Sequence, residues 1–104
     1  MGQHEMITGQ DGSARLCLSG NFGRGEALAL REAFMALLDQ PERLELSLRK
    51  VEGLDITFLQ LLFSLARGAK ESGKQFVLVD ELPQDPLAQA MMLGVTASDL
   101  KSLG

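Results

Sequence analysis

The sequence has no tryptophan and no tyrosine, a single cysteine and a single histidine. Each shortage removes a class of function. Binding of single-stranded nucleic acid uses aromatic stacking platforms and clustered cations. Here phenylalanine is the only aromatic, and no basic cluster exceeds the Arg49-Lys50 pair. Ten Lys+Arg stand against fourteen Asp+Glu, a formal net charge of −4. A nucleic-acid partner is therefore not expected. Cys17 alone excludes an intrachain disulfide. Cys17 and His4 lie in separate segments and give no His/Cys metal cluster. No metal and no cofactor are expected. No apolar run approaches the roughly 20 residues that cross a bilayer. The opening stretch MGQHEMITGQ has neither the basic region nor the apolar core of a secretion signal. Met6 stands where a myristoylation motif needs Ser or Thr. The expectation is a cytoplasmic protein without membrane insertion.

What remains is enough for one core. Over 104 residues, 45% are hydrophobic and 23% charged, the balance of a globular domain. One domain, residues 1–104, is expected. Segments 5–8 and 13–19 flank an Asp11-Gly12 turn signal and read as a hairpin. Leu30, Phe34, Leu37 and Leu38 share one helical face, which predicts a helix from about Glu26 to Asp39, stopped by Pro41. Leu44, Leu46 and Leu48 alternate with polar residues as in a strand. A second helix is predicted from Ile56 to Ser72, closed by Gly73. Phe76 to Val79 reads as a buried strand. A third helix is expected with Asp85 as cap and Pro86 at its first position, closed by Gly94. A last turn would be capped by Thr96 or Ser98. The order β-β-α-β-α-β-α(-α) implies right-handed crossovers between parallel strands. The fold class is α/β, a small mixed sheet of four to five strands with helices packed on it.

Two stretches imitate phosphate loops. GAKESGKQ, residues 68–75, nearly fits G-x-x-x-x-G-K-[ST], but ends in Gln75 and leaves a helix to open a strand. A P-loop runs the other way, so that helix amides meet the phosphates. GNFGRG, residues 20–25, has its glycines in the wrong order and reads as a flexible loop feeding the first helix. Asp80 and Glu81 resemble an acid/base pair, but adjacent residues on an extended chain face opposite ways. They read as solvated loop acids. Nothing visible pairs a nucleophile with a base, and the protein is expected not to be an enzyme. A small nucleotide-binding α/β domain using residues 20–25 is a remote alternative.

The informative stretch is GLDITFLQLL, residues 53–62. On a helical wheel Phe58, Leu62, Leu65, Ala66 and Ala69 form a core stripe. Gln60, Ser64, Arg67 and Glu71 lie opposite. Thr57, Leu61 and Gly68 fall on a border between them, beside Ser64. Asp55 is placed to cap the helix. Gly68 weakens the helix by roughly 1 kcal/mol relative to Ala, and its missing side chain would let another backbone approach. The border is small, partly apolar and headed by a hydroxyl. Leu61 and Phe63, on opposite borders, are expected to leave apolar surface exposed, which suits a protein partner.

Three quoted stretches in order resemble a STAS domain: RLCLSGNFGRGEALALREAFMALL, then LELSLRKVEGLDITFLQLLFSLARGAKESGKQFVLV, then LAQAMMLGV. That is the family of anti-sigma-factor antagonists, found also in sulphate transporters and lipid-transport complexes. The resemblance covers about residues 5–103. In the family the helix-two motif is typically Asp-Ser-Ser-Gly-Leu, with the second Ser phosphorylated by a partner kinase. Here Asp55 matches the Asp and Thr57 falls on the phospho-acceptor. Ile56 replaces the first Ser, Phe58 the Gly, and Ser47 an Asp usual in the preceding strand. The resemblance implies a regulatory interaction module whose partner, an anti-sigma factor, serine kinase or signalling kinase, docks on Asp55, Thr57, Phe58, Leu61, Ser64 and Gly68. STAS proteins that accompany two-component and chemotaxis-type signalling are also similar. The alternative it implies is a constitutive scaffold subunit of a lipid-transport ATPase. Oligomeric state is not legible, although exposed border residues would permit a dimer.

Overall fold

A computed structural model of the chain describes residues 2–9, 11–40 and 42–103. The chain runs β1 (Gly2–Thr8), β2 (Ser13–Phe22), a 3-10 turn (Arg24–Glu26), α1 (Ala27–Leu38), β3 (Arg43–Leu54), α2 (Ile56–Glu71), β4 (Gln75–Leu78), α3 (Gln84–Met92) and α4 (Ala97–Lys101). The sheet order is β1-β2-β3-β4. β1 pairs antiparallel with β2, while β2, β3 and β4 are mutually parallel neighbours. This is the expected mixed α/β architecture, with four strands among the described residues.

Alternation decides the faces. Leu16, Leu46 and Leu78 lie side by side across three strands, as do Ala14, Leu44 and Phe76. All six point into the core, where only Leu78 keeps partial exposure. α1 packs on β2, α2 on β3 and β4, and the two helices on each other. Arg15, Arg43 and Glu45 alternate with those core residues and form an ion-pair network, 2.9 and 2.8 Å. Hydrogen bonds from Arg43 and Arg15 hold the Glu45 carboxyl below the usual glutamate range.

β3 runs further than its Leu-x-Leu-x-Leu pattern indicates. Two register shifts each give β3 one extra residue against β2, between Cys17 and Ser19 and between Gly20 and Asn21. A bulge of this kind resets the inward side. Leu48 and Val51, three residues apart, are therefore both buried, and Arg49 and Lys50 are both exposed. β2 likewise continues through Gly20, Asn21 and Phe22. The expected flexible loop at 20–25 is thus half strand, and only Gly23 and the 3-10 turn remain to feed α1.

The helix ends follow local chemistry. Gly73 and Gly94 take positive φ, 70° and 93°. Behind them Lys74 N–H donates to the Ala69 carbonyl, and Val95 N–H to Ala90, the glycine-terminated helix closure expected at both sites. The Lys74 ammonium also donates to the Leu38 carbonyl at the end of α1. The expectation that Pro41 stops α1 lies outside the described residues. Thr96 caps α4 in a reciprocal box with Asp99, 3.1 and 2.9 Å. Asp85 does not cap α3. The helix begins two residues earlier than expected, at Gln84, with Pro83 at the cap position and no side-chain cap bond. Pro86 then sits third, where its missing N–H is still one of the helix's unpaired donors.

Asp80 is not a solvated loop acid. Its carboxylate accepts from Ser47 Oγ and from Leu48 N–H, both at 2.6 Å. Val79 N–H still bonds the Leu46 carbonyl. The Asp80 side chain continues that ladder one step past β4, standing in for a strand carbonyl.

Candidate functional site

β3 delivers the chain to α2 through a tight passage. A Cβ on Gly53 would meet the side-chain oxygen of exposed Asn21, which would have to turn away to make room. Leu54 N–H donates to Gln89 Oε1 of α3 at 2.9 Å. Asp55 is extended, φ −130°, and its Oδ1 accepts from Phe58 N–H at 3.1 Å. It is the N-cap of α2, as expected.

The apolar stripe then fixes the rotation of α2. Phe58, Leu59, Leu62, Leu65, Ala66 and Ala69 are all buried. Leu59 is the addition to the expected stripe. Gln60, Ser64, Arg67 and Glu71 are thereby turned to solvent. Thr57 and Leu61 are half-buried, and Ile56 is 46% exposed. Since Asp55 performs the capping, the Thr57 hydroxyl is not committed to it.

Phe58 is 1% exposed, and its ring lies 5.5 Å from that of Phe22 in a tilted pair. Here it is a core residue beneath the start of α2 rather than a surface group. Leu61 and Ser64 line a groove of about 330 Å³ between α1 and α2, together with Arg31, Met35 and Leu38. Gly68 meets the same neighbour: the Leu38 methyls lie 3.3 and 3.5 Å from where its Cβ would be. The space left by Gly68 is therefore occupied by the chain's own α1. Asp55 and Thr57 sit at the head of α2, not among the groove's lining residues.

Sequence reasoning missed the α1 half of this surface. Met35 is 55% exposed on α1, four residues after Arg31 and four before Asp39 on the polar face. That misplaced methionine was the available signal. On the far side of α2, where Phe63 alone was expected to leave apolar surface exposed, a second groove of about 300 Å³ forms as Ile56, Phe63, Arg67 and Val95 meet. The Gly68–Gln75 decoy is a helix end opening β4, as its context required. Among the described residues no three His, Cys, Asp or Glu side chains converge to hold a metal ion. No described helix is long and apolar enough to cross a membrane.

This chain belongs to the STAS family: residues 6–100 match the family model described as "Mlab, STAS domain". Among solved structures it is similar to an anti-sigma factor antagonist from Mycobacterium paratuberculosis, at 24% identity and TM-score 0.67, covering 90% of this chain and 78% of that one. It is also similar to the anti-sigma factor antagonist SpoIIAA in its unphosphorylated form, at 10% identity and TM-score 0.68, covering 88% and 81%. A third similar structure, Mglu, shares 21% identity at TM-score 0.63 over 73% of this chain. The chain spans only 19% of that protein's length. At these identities the likeness is one of fold. No curated protein matches by sequence.

Proposed function

We propose that this chain is a non-enzymatic regulatory module that docks a protein partner through the start of α2 and its α1-facing border. Asp55 shapes the entry, Thr57 heads the border, and Leu61 and Ser64 supply contact. Phe58 supports the border from the core, and Gly68 lets Leu38 pack close beneath it. The observation that carries this reading is the groove shared by Leu61, Ser64, Met35 and Leu38, whose first α2 residue follows Thr57 by one turn in a STAS chain where Asp55, not Thr57, caps the helix. Two structural neighbours are described as anti-sigma factor antagonists, one of them in an unphosphorylated form. An anti-sigma factor or a kinase is accordingly the partner class proposed here.

Phosphorylation of Thr57 is the proposed switch. It would add about −1.5 to −2 charges. The N-terminus of α2 favours a phosphate, whereas Asp55 two residues away and an apolar partner surface oppose it. Phosphate should therefore release the partner. The test is a pull-down from the host with mass spectrometry, which identifies the partner and any phosphate on Thr57 together. The partner's affinity is then compared for the two forms. A tenfold or greater loss on phosphorylation is expected, and unchanged affinity rejects the switch.

Two observations favour a second reading, a constitutive scaffold subunit such as the resemblance implied for lipid-transport ATPases. Phe58 fills the core where the switch motif has glycine, and Ile56 presents an apolar side chain where it has serine. In that case Thr57→Ala binds the partner normally, Leu61→Asp does not, and an ATPase subunit rather than a kinase co-purifies.

A further inference from the structure

The two grooves beside α2 share Ser64 on the ridge between them. Each contains one arginine, Arg31 in the first and Arg67 in the second, and neither is lined by any Asp or Glu. Three other grooves on the molecule all carry acids: Glu81 in one, Glu52 and Asp85 in another, Glu5 in the third. On a chain of net charge −4, acids are thus absent from the linings of the two grooves that hold Met35 and Ile56, and the nearest on the same helix faces, Asp39 and Glu71, stand one turn beyond Met35 and Arg67. The ion pairs among the described residues join Arg15, Arg43 and Lys101 to carboxylates, and leave Arg31 and Arg67 free.

We infer that this face receives an amphipathic partner helix with Asp or Glu beside its apolar stripe. This rests on the docking reading above and adds the partner's chemistry. Apolar side chains of the partner enter the groove at Met35, Leu38 and Leu61. Its carboxylates meet Arg31 and Arg67, the complementarity that sets specificity and encounter rate at interfaces. A second copy of the chain fits poorly. A two-fold contact sets the same patch against itself, and neither groove lining offers a carboxylate to the arginines of the copy. An anionic membrane also fits poorly. Two cations fall short of the roughly four to eight that mark such contacts, and the ridge carries polar Gln60 and Ser64.

The probes are two synthetic 18-residue amphipathic helices sharing one leucine stripe, flanked by Glu in one and by Lys in the other. Each is titrated into the intact chain and followed by backbone amide NMR. The Glu peptide should bind at least tenfold more tightly and shift the amides of Met35, Leu38, Leu61 and Ser64. The double variant Arg31→Glu, Arg67→Glu should reverse the preference. Equal affinity for both peptides, shifts mapping elsewhere, self-association through this face, or binding to phosphatidylglycerol vesicles that the double variant abolishes would each overturn the inference. The natural partner separates the two levels. A partner lost by Leu61→Asp but retained by the double variant leaves docking intact and removes the acidic helix. A partner retained by both variants removes docking as well.

Discussion

Asp55 and Phe58 share one hydrogen bond, but they contribute at different sizes. Replacing Asp55 by Ala unpairs the Phe58 N–H, and loss of an N-cap costs about 0.5–2 kcal/mol. Urea unfolding of Asp55→Ala should show that loss with an unchanged m-value. Phe58→Ala opens a cavity in a site that is 1% exposed, and such changes cost about 3–5 kcal/mol. Loss of partner binding in Phe58→Ala would therefore report on folding, and the surface test belongs to Leu61. Both roles were legible, because a cap and a stripe at 100° spacing depend on residues within a few turns. The role of Asp80 was not. Its partners Ser47 and Leu48 are 33 and 32 residues away, and sequence spacing carries no sign of that pairing. Ser47 stands where the family usually has an Asp, and Asp80 brings a carboxylate to its hydroxyl from the neighbouring strand. Asp80→Ala leaves the Leu48 N–H without its acceptor, and an orphaned donor costs about 1–3 kcal/mol. Chemical denaturation of that variant measures it.

Elements were read well where their period was regular and poorly where it broke. α2 keeps one stripe over sixteen residues, and its predicted limits differ from the observed ones by a single residue. β3 loses its period at Arg49-Lys50, where the first bulge adds a residue, so the alternation that marks the strand stops at Leu48 while the strand runs on to Leu54. The α1–α2 groove was half-legible: its α2 wall followed from the wheel, while its α1 wall depended on how two helices meet. Gly68 marks that meeting. Gly68→Ala should gain up to about 1 kcal/mol of helix propensity. Against this, the new methyl would sit 3.3 Å from a Leu38 methyl. Leu38 is half-buried and can move by the few tenths of an ångström required. The expected net effect is a modest rise in melting temperature. If the groove is the docking surface, the same variant should bind partner more weakly although it is more stable.

Across the whole molecule the sheet separates two surfaces. One face is sealed by α1 and α2, and the other carries the Arg15–Glu45–Arg43 network. The two arginines hold the Glu45 carboxyl below the usual glutamate value. A carboxyl lowered on folding stabilises the native state above its unfolded value, about 4.3, and that contribution is lost as pH falls through the folded value. Asp99, held low by the Thr96 amide and hydroxyl, acts in the same direction. Stability should therefore fall as pH drops below about 4.3, and Glu45→Gln should make the fall shallower. Thermal melts across that range decide it. The central claim concerns the opposite surface, the border of α2 that faces α1. Wild-type chain, Leu61→Asp and Met92→Asp are used side by side as bait in quantitative co-purification. Met92 is 88% exposed at the end of α3, outside both grooves beside α2, and controls for adding a charge. The account predicts a protein captured by wild type and Met92→Asp and reduced at least tenfold with folded Leu61→Asp. Equal capture by all three would contradict it.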